Sequence, residues 1–246
     1  MSDRIRLDLA MEQRGLVPSR ARARDAILRG TVTLNGVVAV KQNQMVGKDD
    51  LVALSDPAAN YVSRAALKLV AGLDAGAIDP NGKACVDIGA STGGFTQVLM
   101  ERGAVRIYAV DVGHGQLHER LKGSDRVVSM EGVNAKDLTA ELIPEPIDLL
   151  VSDVSFVSVV KVLEAPLALC TATADAVILF KPQFEVGRRN VGKGGIVTDQ
   201  AAIDAALAEV IAFMEAQGFQ HRQSVTSPIS GGDGNVETVL VFARSQ

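Results

Sequence analysis

From residue 61 onward, short apolar segments alternate with stretches of helical pattern. Six such segments are present: ACVDIGA, RIYAVDVG, RVVSMEG, IDLLVSDVS, DAVILFKP and ETVLVFARS. Strands that alternate with helices form parallel sheets, because each crossover helix returns the chain to the same end of the sheet. The pattern therefore predicts an α/β fold with a doubly wound, mostly parallel sheet. Such sheets bind ligands at the carboxyl ends of their strands.

A different pattern precedes residue 60. Residues 3–16 and 19–29 have helical patterns, and Ser19 is placed as the N-cap of the second helix. The segment TVTLNGVVAV follows, and its Asn35–Gly36 pair is typical of the turn of a β-hairpin. The segment DDLVALS predicts one more strand. These features indicate a small α+β domain.

Charge is distributed unevenly between these two parts. The net charge of −4, taken over the whole chain, argues against a nucleic-acid binder. The first 56 residues nevertheless hold nine basic and seven acidic side chains, whereas the remainder holds 16 and 22. This asymmetry predicts a basic contact surface in the amino-terminal part. We predict two domains, the first with its linker over residues 1–59 and the second over residues 60–246.

Several classes of protein do not fit the sequence. We find no signal peptide, and no uncharged apolar run approaches the ~18 residues of a membrane span. Cys85 and Cys170 lie far apart in apolar contexts, which predicts buried thiols in a reducing compartment. His114 and His118 lack a third metal ligand at a suitable spacing. We therefore expect a cytoplasmic protein that binds neither membrane nor metal.

The segment VDIGASTGGF follows the first strand of the predicted sheet and opens a helix. Its spacing differs from the G-x-G-x-x-G fingerprint, and a carboxylate before the first glycine would repel a pyrophosphate. The loop suits a cofactor with a cationic or zwitterionic end, which favours S-adenosylmethionine over NAD. The expected cofactor-binding residues are Asp87, Gly89, Ala90, Ser91, Gly93, Gly94, Phe95, Asp111, Val112, Asn134, Ala135 and Asp153. Asp111, at the end of the second strand, is placed to accept the ribose hydroxyls, and Asn134 to reach the adenine.

Four charged residues form a second group: Asp153 and Lys181 at the ends of the fourth and fifth strands, Glu237 at the entry to the last strand, and Lys68 in the helix before the first strand. A lone lysine at a strand end is more often a solvated side chain than a catalytic one. The four together form a specific pattern. The fourth strand ends in SDVSF, which is neither the N/D-P-P-F/Y of enzymes that methylate exocyclic amines nor the Pro-Cys of cytosine C5 methylation. Methylation of a base is therefore disfavoured.

These motifs resemble those of the TlyA family, which shares the FtsJ-like ribose methyltransferase architecture. The segments concerned are YVSRAALKL, DIGASTGGFTQVL, AVDVGHGQL, DLLVSDVSF, KPQFEVGR and GNVE. The amino-terminal segment RGLVPSRARARDAILRGTVTLNG resembles the S4 RNA-binding domain. The resemblance implies a Rossmann-like sheet of seven strands and 2′-O-methylation of cytidine in ribosomal RNA with S-adenosylmethionine. It also implies that Lys68, Asp153, Lys181 and Glu237 form a catalytic tetrad.

A ribose 2′-hydroxyl is a poor nucleophile at neutral pH, so the site has to take up or share its proton while holding the oxygen in line with the methyl group. Lys181 is the expected general base, and the neighbouring cation of Lys68 and partial desolvation favour the neutral amine. We expect Asp153 to orient the lysines and Glu237 to fix Lys68 or the ribose.

Basic side chains are expected to contact RNA phosphates, which positions RNA without reading its sequence. The expected RNA-binding residues are Arg4, Arg6, Arg20, Arg22, Arg24, Lys41, Arg188 and Arg189. The last two lie on a Gly-rich loop beside Lys181, where a solvated loop is an equally good interpretation.

The family divides into a shorter type, associated with large-subunit RNA, and a longer type that also modifies the small subunit. The chain ends soon after the last predicted strand, which resembles the shorter type and predicts 23S rRNA as target, with 16S rRNA as a further substrate left open. Three alternatives stay open: a ribosome-assembly factor that binds RNA without catalysis, a haemolysin-type membrane-active protein, and a Rossmann oxidoreductase.

Overall fold

The computed structural model describes residues 4–231 and 233–244. The chain forms two compact units, Met1–Asn60 and Tyr61–Gln246. The elements of the amino-terminal unit are β1 (Ile5–Arg6), α1 (Leu7–Gln13), α2 (Arg20–Leu28), β2 (Val32–Leu34), β3 (Val37–Val38), β4 (Met45–Val46) and β5 (Val52–Leu54).

The amino-terminal unit packs two helices against two small sheets. Strands β3, β2 and β5 form one antiparallel sheet, and β1 pairs with β4 in the other. The hairpin turn at Asn35–Gly36 is confirmed, with φ of 51° and 81°, the left-handed conformation that this turn requires. Ser19 caps α2 by accepting a hydrogen bond from the backbone N–H of Arg22 at 3.3 Å, as predicted.

The first helix is shorter than the sequence pattern predicts. It begins at Leu7 because Ile5 and Arg6 pair with Val46 and Met45 as a strand. The helical pattern was misleading here because a two-residue strand is too short to show the alternation that identifies a strand.

The elements of the carboxy-terminal unit are α3 (Ala66–Ala75), β6 (Ala84–Ile88), α4 (Gly94–Glu101), β7 (Arg106–Asp111), α5 (Glu119–Lys122), β8 (Val127–Glu131), β9 (Ile147–Ser152), α6 (Glu164–Ala168), β10 (Cys170–Phe180), α7 (Pro182–Glu185), α8 (Gln200–Ala216), β11 (Phe219–Thr226) and β12 (Thr238–Arg244). Four 3₁₀ turns join them, at Ala135–Asp137, Val159–Lys161, Arg188–Asn190 and Lys193–Gly195.

One seven-stranded sheet runs through the carboxy-terminal unit in the order β11-β12-β10-β9-β6-β7-β8. Strands β10, β9, β6, β7 and β8 are parallel, whereas β12 is antiparallel to both of its neighbours. Apolar clusters cover both faces, which matches the doubly wound α/β fold predicted from the sequence. The carboxyl ends of the central parallel strands meet at one edge.

Strand β11 has no counterpart among the six apolar segments. Its sequence, FQHRQSVT, is polar, and only Phe219 is buried. An edge strand has one neighbour and little core to cover, so it needs few apolar residues. A pattern of apolar segments therefore does not predict β11.

The helix expected from Tyr61 begins at Ala66 instead. Residues 61–65 are held by Gln97, whose side-chain Oε1 accepts a hydrogen bond from the backbone N–H of Val62 at 2.7 Å. Cys85 and Cys170 are buried free thiols, as expected. Within residues 4–231 and 233–244, no helix is both long and apolar enough to cross a bilayer.

Candidate active site

Four charged side chains meet at the carboxyl edge of the sheet. Asp153 follows β9, Lys181 follows β10, Glu237 precedes the antiparallel β12, and Lys68 projects from α3. They come together because β9, β10 and β12 are adjacent in the sheet and the start of β12 lies beside the end of β10, where Phe180 pairs with Thr238. The sequence-predicted tetrad is thus one cluster in space.

Opposite charges alternate through this cluster. Lys181 Nζ lies 2.6 Å from Asp153 Oδ1, and Lys68 Nζ lies 2.6 Å from Glu237 Oε2. The second oxygen of Asp153 lies 3.8 Å from Lys68 Nζ, so this carboxylate stands between the two lysines. Lys68, Lys181 and Glu237 are buried, and each has a partner of opposite charge, which is the condition for burying charge.

Lys181 is held by three oxygen atoms. In addition to Asp153 Oδ1, its ammonium group donates to Ser155 Oγ at 2.8 Å and more weakly to the carbonyl oxygen of Asp153 at 3.5 Å. Three acceptors match the three N–H donors of a lysine ammonium group. The side chain is therefore fixed at the strand end and does not extend into solvent.

A cavity of about 410 Å³ adjoins the cluster, within the usual range for a small-molecule site. Seven of the sequence-predicted cofactor residues line it: Gly89, Ser91, Asp111, Val112, Asn134, Ala135 and Asp153. A smaller cavity of about 180 Å³ is lined by Lys181 together with the predicted residues Ala90, Gly94 and Phe95. Asp153 lines both cavities, so it connects the charged cluster to the larger one.

Gly89 allows the closest approach of backbone in this region. Its φ is +84°, and a Cβ atom here would lie 3.1 Å from the carbonyl carbon and oxygen of Asp153. A side chain would have to displace the backbone that carries the Asp153 carboxylate. Glycine at this position thus leaves the two loops in contact and the cavity open.

Asp87 and Gly93 line neither cavity. Asp87 is fully buried, and its Oδ2 accepts a hydrogen bond from Thr96 Oγ1 at 2.6 Å. Burial raises the pKa of Asp87 to about 7, against the lowering effect of the Thr96 hydrogen bond. Gly93 lies at the start of α4 with φ +93°, and a Cβ atom there would lie 2.2 Å from Leu121 Cδ1. Asp87 is thus a buried residue of β6 below the loop, and Gly93 leaves room for the Leu121 side chain.

Asp111 is oriented by two backbone N–H groups. Its Oδ2 accepts from Ser91 at 2.8 Å and its Oδ1 from Gly113 at 2.7 Å. A carboxylate has about four lone-pair positions, so each oxygen can still accept one more hydrogen bond.

Sequence reasoning missed three residues at this edge. Ser155 contacts Lys181, Gln116 lines the larger cavity, and Phe156 lies at that cavity with 90% of its surface exposed. Phe156 has φ +67° and packs against Phe184, with ring centroids 5.3 Å apart. Left-handed backbone at a non-glycine residue is strained, and such strain concentrates at functional sites. The SDVSF segment contains Ser155 and Phe156, but a linear motif does not show which side chain will be exposed.

In the amino-terminal unit, one buried carboxylate gathers three of the predicted RNA-binding arginines. Asp8 accepts hydrogen bonds from Arg6 at 2.9 Å, Arg20 at 3.3 Å and Arg24 at 3.3 Å. Burial raises the pKa of Asp8, but the bonds from Arg6, Arg24 and Arg20 together outweigh it and lower the pKa to about 2. The three guanidinium groups stay about two-fifths exposed.

The other predicted RNA-binding residues are more dispersed. Arg22 donates to the carbonyl oxygen of Ala58 at 2.9 Å, so it also braces the end of this unit. Arg4 and Lys41 are exposed. Arg188 and Arg189 are exposed on a 3₁₀ turn of the other unit, beyond α7.

Comparison with known proteins gives a family for each unit. Residues 61–244 match the FtsJ-like methyltransferase family, and residues 5–52 match the S4 domain. A Mycobacterium tuberculosis protein named 16S/23S rRNA (cytidine-2′-O)-methyltransferase TlyA is 42% identical, and the alignment covers 100% of this chain and 92% of that one.

The chain belongs to the TlyA family of FtsJ-like methyltransferases. A TlyA-family relative from Brachyspira hyodysenteriae, named Hemolysin A, is 40% identical over 97% of this chain and 99% of its own length. A solved Streptococcus thermophilus protein that carries a hemolysin name is 33% identical, with a TM-score of 0.76 over 100% of this chain and 90% of that one. The cofactor of this TlyA-family protein is S-adenosylmethionine, and the larger cavity, with the Asp111 carboxylate and the open Gly89 loop, fits it.

Proposed function

We propose that the protein transfers a methyl group from S-adenosylmethionine to the ribose 2′-hydroxyl of a cytidine in ribosomal RNA. The observation that carries the proposal is the cluster of Lys68, Asp153, Lys181 and Glu237, in which Asp153 lines the cofactor cavity. The name of the mycobacterial relative supports the substrate, and it includes both 16S and 23S rRNA. We take 23S rRNA as the target, in the cytoplasm, with 16S rRNA as a further substrate left open.

We assign the cofactor to the larger cavity. Asp111 would hold the ribose hydroxyls, and Asn134 and Ala135 would border the adenine. When bound, S-adenosylmethionine supplies an electrophilic methyl group on a sulfonium ion. Asp153 and Ser155 line both cavities, so they border the region between the bound cofactor and Lys181. A substrate hydroxyl beside Lys181 would therefore face the cofactor, and holding it in line supplies much of the rate enhancement.

Lys181 is the proposed general base. In its amine form it would accept the proton of the 2′-hydroxyl as the oxygen bonds to the methyl carbon; the bond between that carbon and the sulfonium sulfur would break, and S-adenosylhomocysteine would leave. Asp153 Oδ1 and Ser155 Oγ, 2.6 Å and 2.8 Å away, would then stabilise the resulting ammonium ion. Proton transfer of this kind contributes about 10²–10⁴-fold to rate. Because the four groups are coupled, the proton released belongs to the cluster as a whole.

Lys68 and Glu237 are proposed to position Asp153. Glu237 holds Lys68 at 2.6 Å, and Lys68 in turn faces Asp153 Oδ2 at 3.8 Å. This arrangement fixes the carboxylate so that its other oxygen meets Lys181.

RNA binding is assigned to two features. The Arg6, Arg20 and Arg24 cluster would contact phosphates of structured RNA. The exposed ring of Phe156 at the cavity would stack on an unpaired base next to the reactive ribose. Arg188 and Arg189 are a further proposed contact near the active site.

The test is transfer of labelled methyl from S-adenosylmethionine to separated 30S and 50S subunits and to free rRNA. We expect label at one cytidine of 50S RNA, in a linkage that resists alkaline cleavage, and loss of label with Lys181→Ala. The matched control is Lys161→Ala, which removes an exposed lysine outside both cavities. Label in both subunits would extend the target, and label on a base instead of a ribose would refute the proposed chemistry.

The names of relatives bring in a second candidate function, membrane lysis. Leakage of dye from liposomes by the purified protein tests it directly. Leakage that persists in Lys181→Ala, without methyl transfer to any RNA, would favour lysis over methylation. Binding of S-adenosylmethionine and rRNA without transfer of label would instead favour a non-catalytic assembly factor.

A further inference from the structure

An amide group without a partner lies at the cofactor cavity. Gln116 Oε1 accepts a hydrogen bond from Ser91 Oγ at 3.1 Å, but Gln116 Nε2 has no hydrogen-bond partner among the residues that the structure describes. Both Gln116 and Ser91 line the larger cavity. The amide therefore offers two N–H donors to whatever occupies this space.

The amide nitrogen and the carboxylate of Asp111 both lie next to Gly113. A Cβ atom placed on Gly113 would lie 2.0 Å from Gln116 Nε2 and 3.1 Å from Asp111 Oδ1. The glycine is thus what allows the glutamine side chain to fold over the loop. Electrostatics favours the same orientation, because the amide oxygen would be repelled by the nearby carboxylate whereas the amide N–H groups are attracted.

The backbone beneath Gln116 is anchored by a second carboxylate. Glu131 Oε1, at the end of β8, accepts hydrogen bonds from the backbone N–H groups of Gln116 at 2.5 Å and Leu117 at 3.0 Å. Glu131 Oε2 pairs with Lys122 at 3.2 Å. The loop is therefore held in place before any ligand binds, which reduces the entropy lost on binding.

Asp111 alone cannot satisfy a ribose hydroxyl. Its oxygens accept, so they bind the hydroxyl hydrogen, but the hydroxyl oxygen also needs a donor when it is removed from water. The two backbone N–H groups nearest to Asp111, those of Ser91 and Gly113, are already bonded to the carboxylate itself. Within residues 4–231 and 233–244, Gln116 Nε2 has no hydrogen-bond partner and lies next to the same glycine, Gly113.

We propose that Gln116 binds the ribose of the cofactor, donating from Nε2 to the oxygen of a hydroxyl whose hydrogen is donated to Asp111. The ligand class is a nucleoside with an intact vicinal diol. The inference rests on the proposed cofactor site and adds to it a residue that selects for the hydroxyl.

The experiment measures binding of S-adenosylhomocysteine to the full chain by titration calorimetry. Its 2′-deoxy and 3′-deoxy ribose analogues are measured in parallel. The variants are Gln116→Ala, Gln116→Glu and Gly113→Ala. The last keeps the glutamine but places a methyl group where the amide lies.

We expect Gln116→Ala to weaken binding of S-adenosylhomocysteine by about fivefold to tenfold, the value of one hydrogen bond. For one of the two deoxy analogues the variant should bind as wild type does, because the hydroxyl that Gln116 holds is already missing. Gly113→Ala should reproduce this selectivity. Gln116→Glu should weaken binding at least as much, since it places a second carboxylate beside Asp111. Gln116 is exposed, so the unfolding midpoint should not change.

Two results would overturn the inference: unchanged affinity in Gln116→Ala, or an equal loss for all three ligands. Asp111→Ala separates this failure from failure of the proposed function. If Asp111→Ala no longer binds the ligand and Gln116→Ala still binds it as wild type does, the proposed cofactor site is supported and the proposed role of Gln116 is wrong. If wild type binds none of the ligands, both the cofactor site and the role of Gln116 are wrong.

Discussion

Lys68 Nζ lies 2.6 Å from Glu237 Oε2, and this ion pair is almost closed to solvent, with 9% and 2% of the two side chains exposed. It joins the first helix of the methyltransferase unit to its last strand. Removing one member of a buried pair leaves the other charge without a partner in a medium that cannot solvate it. Replacing both members often changes the free energy of unfolding little. The pair can therefore be tested separately for stability and for catalysis.

Glu237→Leu should lower the free energy of unfolding by about 3 kcal/mol, because Lys68 keeps only the more distant Asp153 as partner. The double variant Lys68→Met/Glu237→Leu should recover most of that loss in urea unfolding. Both variants should be inactive in methyl transfer. If the double variant is as unstable as the single one, the loss of stability does not come from the unpaired charge of Lys68.

Gly89→Ala should reduce both stability and cofactor affinity. The left-handed backbone costs about 1 kcal/mol with any side chain, and the added Cβ also pushes on the Asp153 carbonyl at 3.1 Å. Gly82→Ala is the matched control, since it has φ +74° but open space around its Cβ position. We expect equal backbone costs in unfolding experiments and weaker binding of S-adenosylhomocysteine only in Gly89→Ala. Equal binding by the two variants would mean that the contact with Asp153 is unimportant.

Asp87 should make the protein less stable as pH rises. Burial raises its pKa in the folded state from an ordinary 3.8 to about 7. Between these values the folded state holds one proton more than the unfolded state, so the free energy of unfolding falls as pH rises through this window and then levels off. Asp87→Asn keeps an acceptor for Thr96 and removes the titration. The free energy of unfolding of the variant should therefore rise relative to that of wild type from pH 5 to pH 8.

Urea unfolding at a series of pH values measures this difference. A constant offset between wild type and Asp87→Asn would show that Asp87 does not titrate in this range. Binding of S-adenosylhomocysteine by the same variant tests the expectation that Asp87 contacts the cofactor. A residue that acts only beneath the glycine loop should change that affinity little.

Asp8 should have the opposite effect on the pH dependence of stability from that of Asp87. Its pKa in the folded state is lowered to about 2, so the stability it contributes is present above its ordinary value of 3.8 and is lost as pH falls from about 4 towards 2. The contribution is of order 1 kcal/mol, because its arginine partners are partly solvated.

Asp8→Asn should also weaken RNA binding, since the three arginines lose the group that gathers them. The measurement pairs unfolding at pH 7 and pH 3 with a titration of 23S rRNA fragments. Asp49→Asn removes an exposed acid and serves as control. If Asp8→Asn instead binds RNA more tightly, the negative charge matters more than the geometry it imposes.

The tetrad could be predicted from sequence because parallel strands bring their carboxyl ends to one edge, so residues just after a strand become neighbours. Asp153 and Lys181 follow directly from that rule. The same reasoning expected a general base helped by a neighbouring cation. The structure adds that Asp153 lies between the two lysines, a detail that depends on side-chain direction and not on position in a strand.

Other features could not be derived from linear pattern. Strand β11 is polar because it lies at an edge, and Asp87 is buried because Thr96 from the next helix closes over it. Gln116 reaches the cavity only because Gly113 lacks a side chain and Glu131, on another strand, holds the loop. Each of these features depends on contacts between segments that are far apart in the sequence.

Strand β12 inserts between β10 and β11, although it follows both in the chain. During synthesis, the other six strands therefore emerge from the ribosome before the strand that lies between β10 and β11. Glu237, which directly precedes β12, cannot meet Lys68 until that strand has been inserted. Strands paired late and over long sequence separations are slow to form. We therefore expect the ion pair between Lys68 and Glu237 to form late in folding, after most of the sheet is in place.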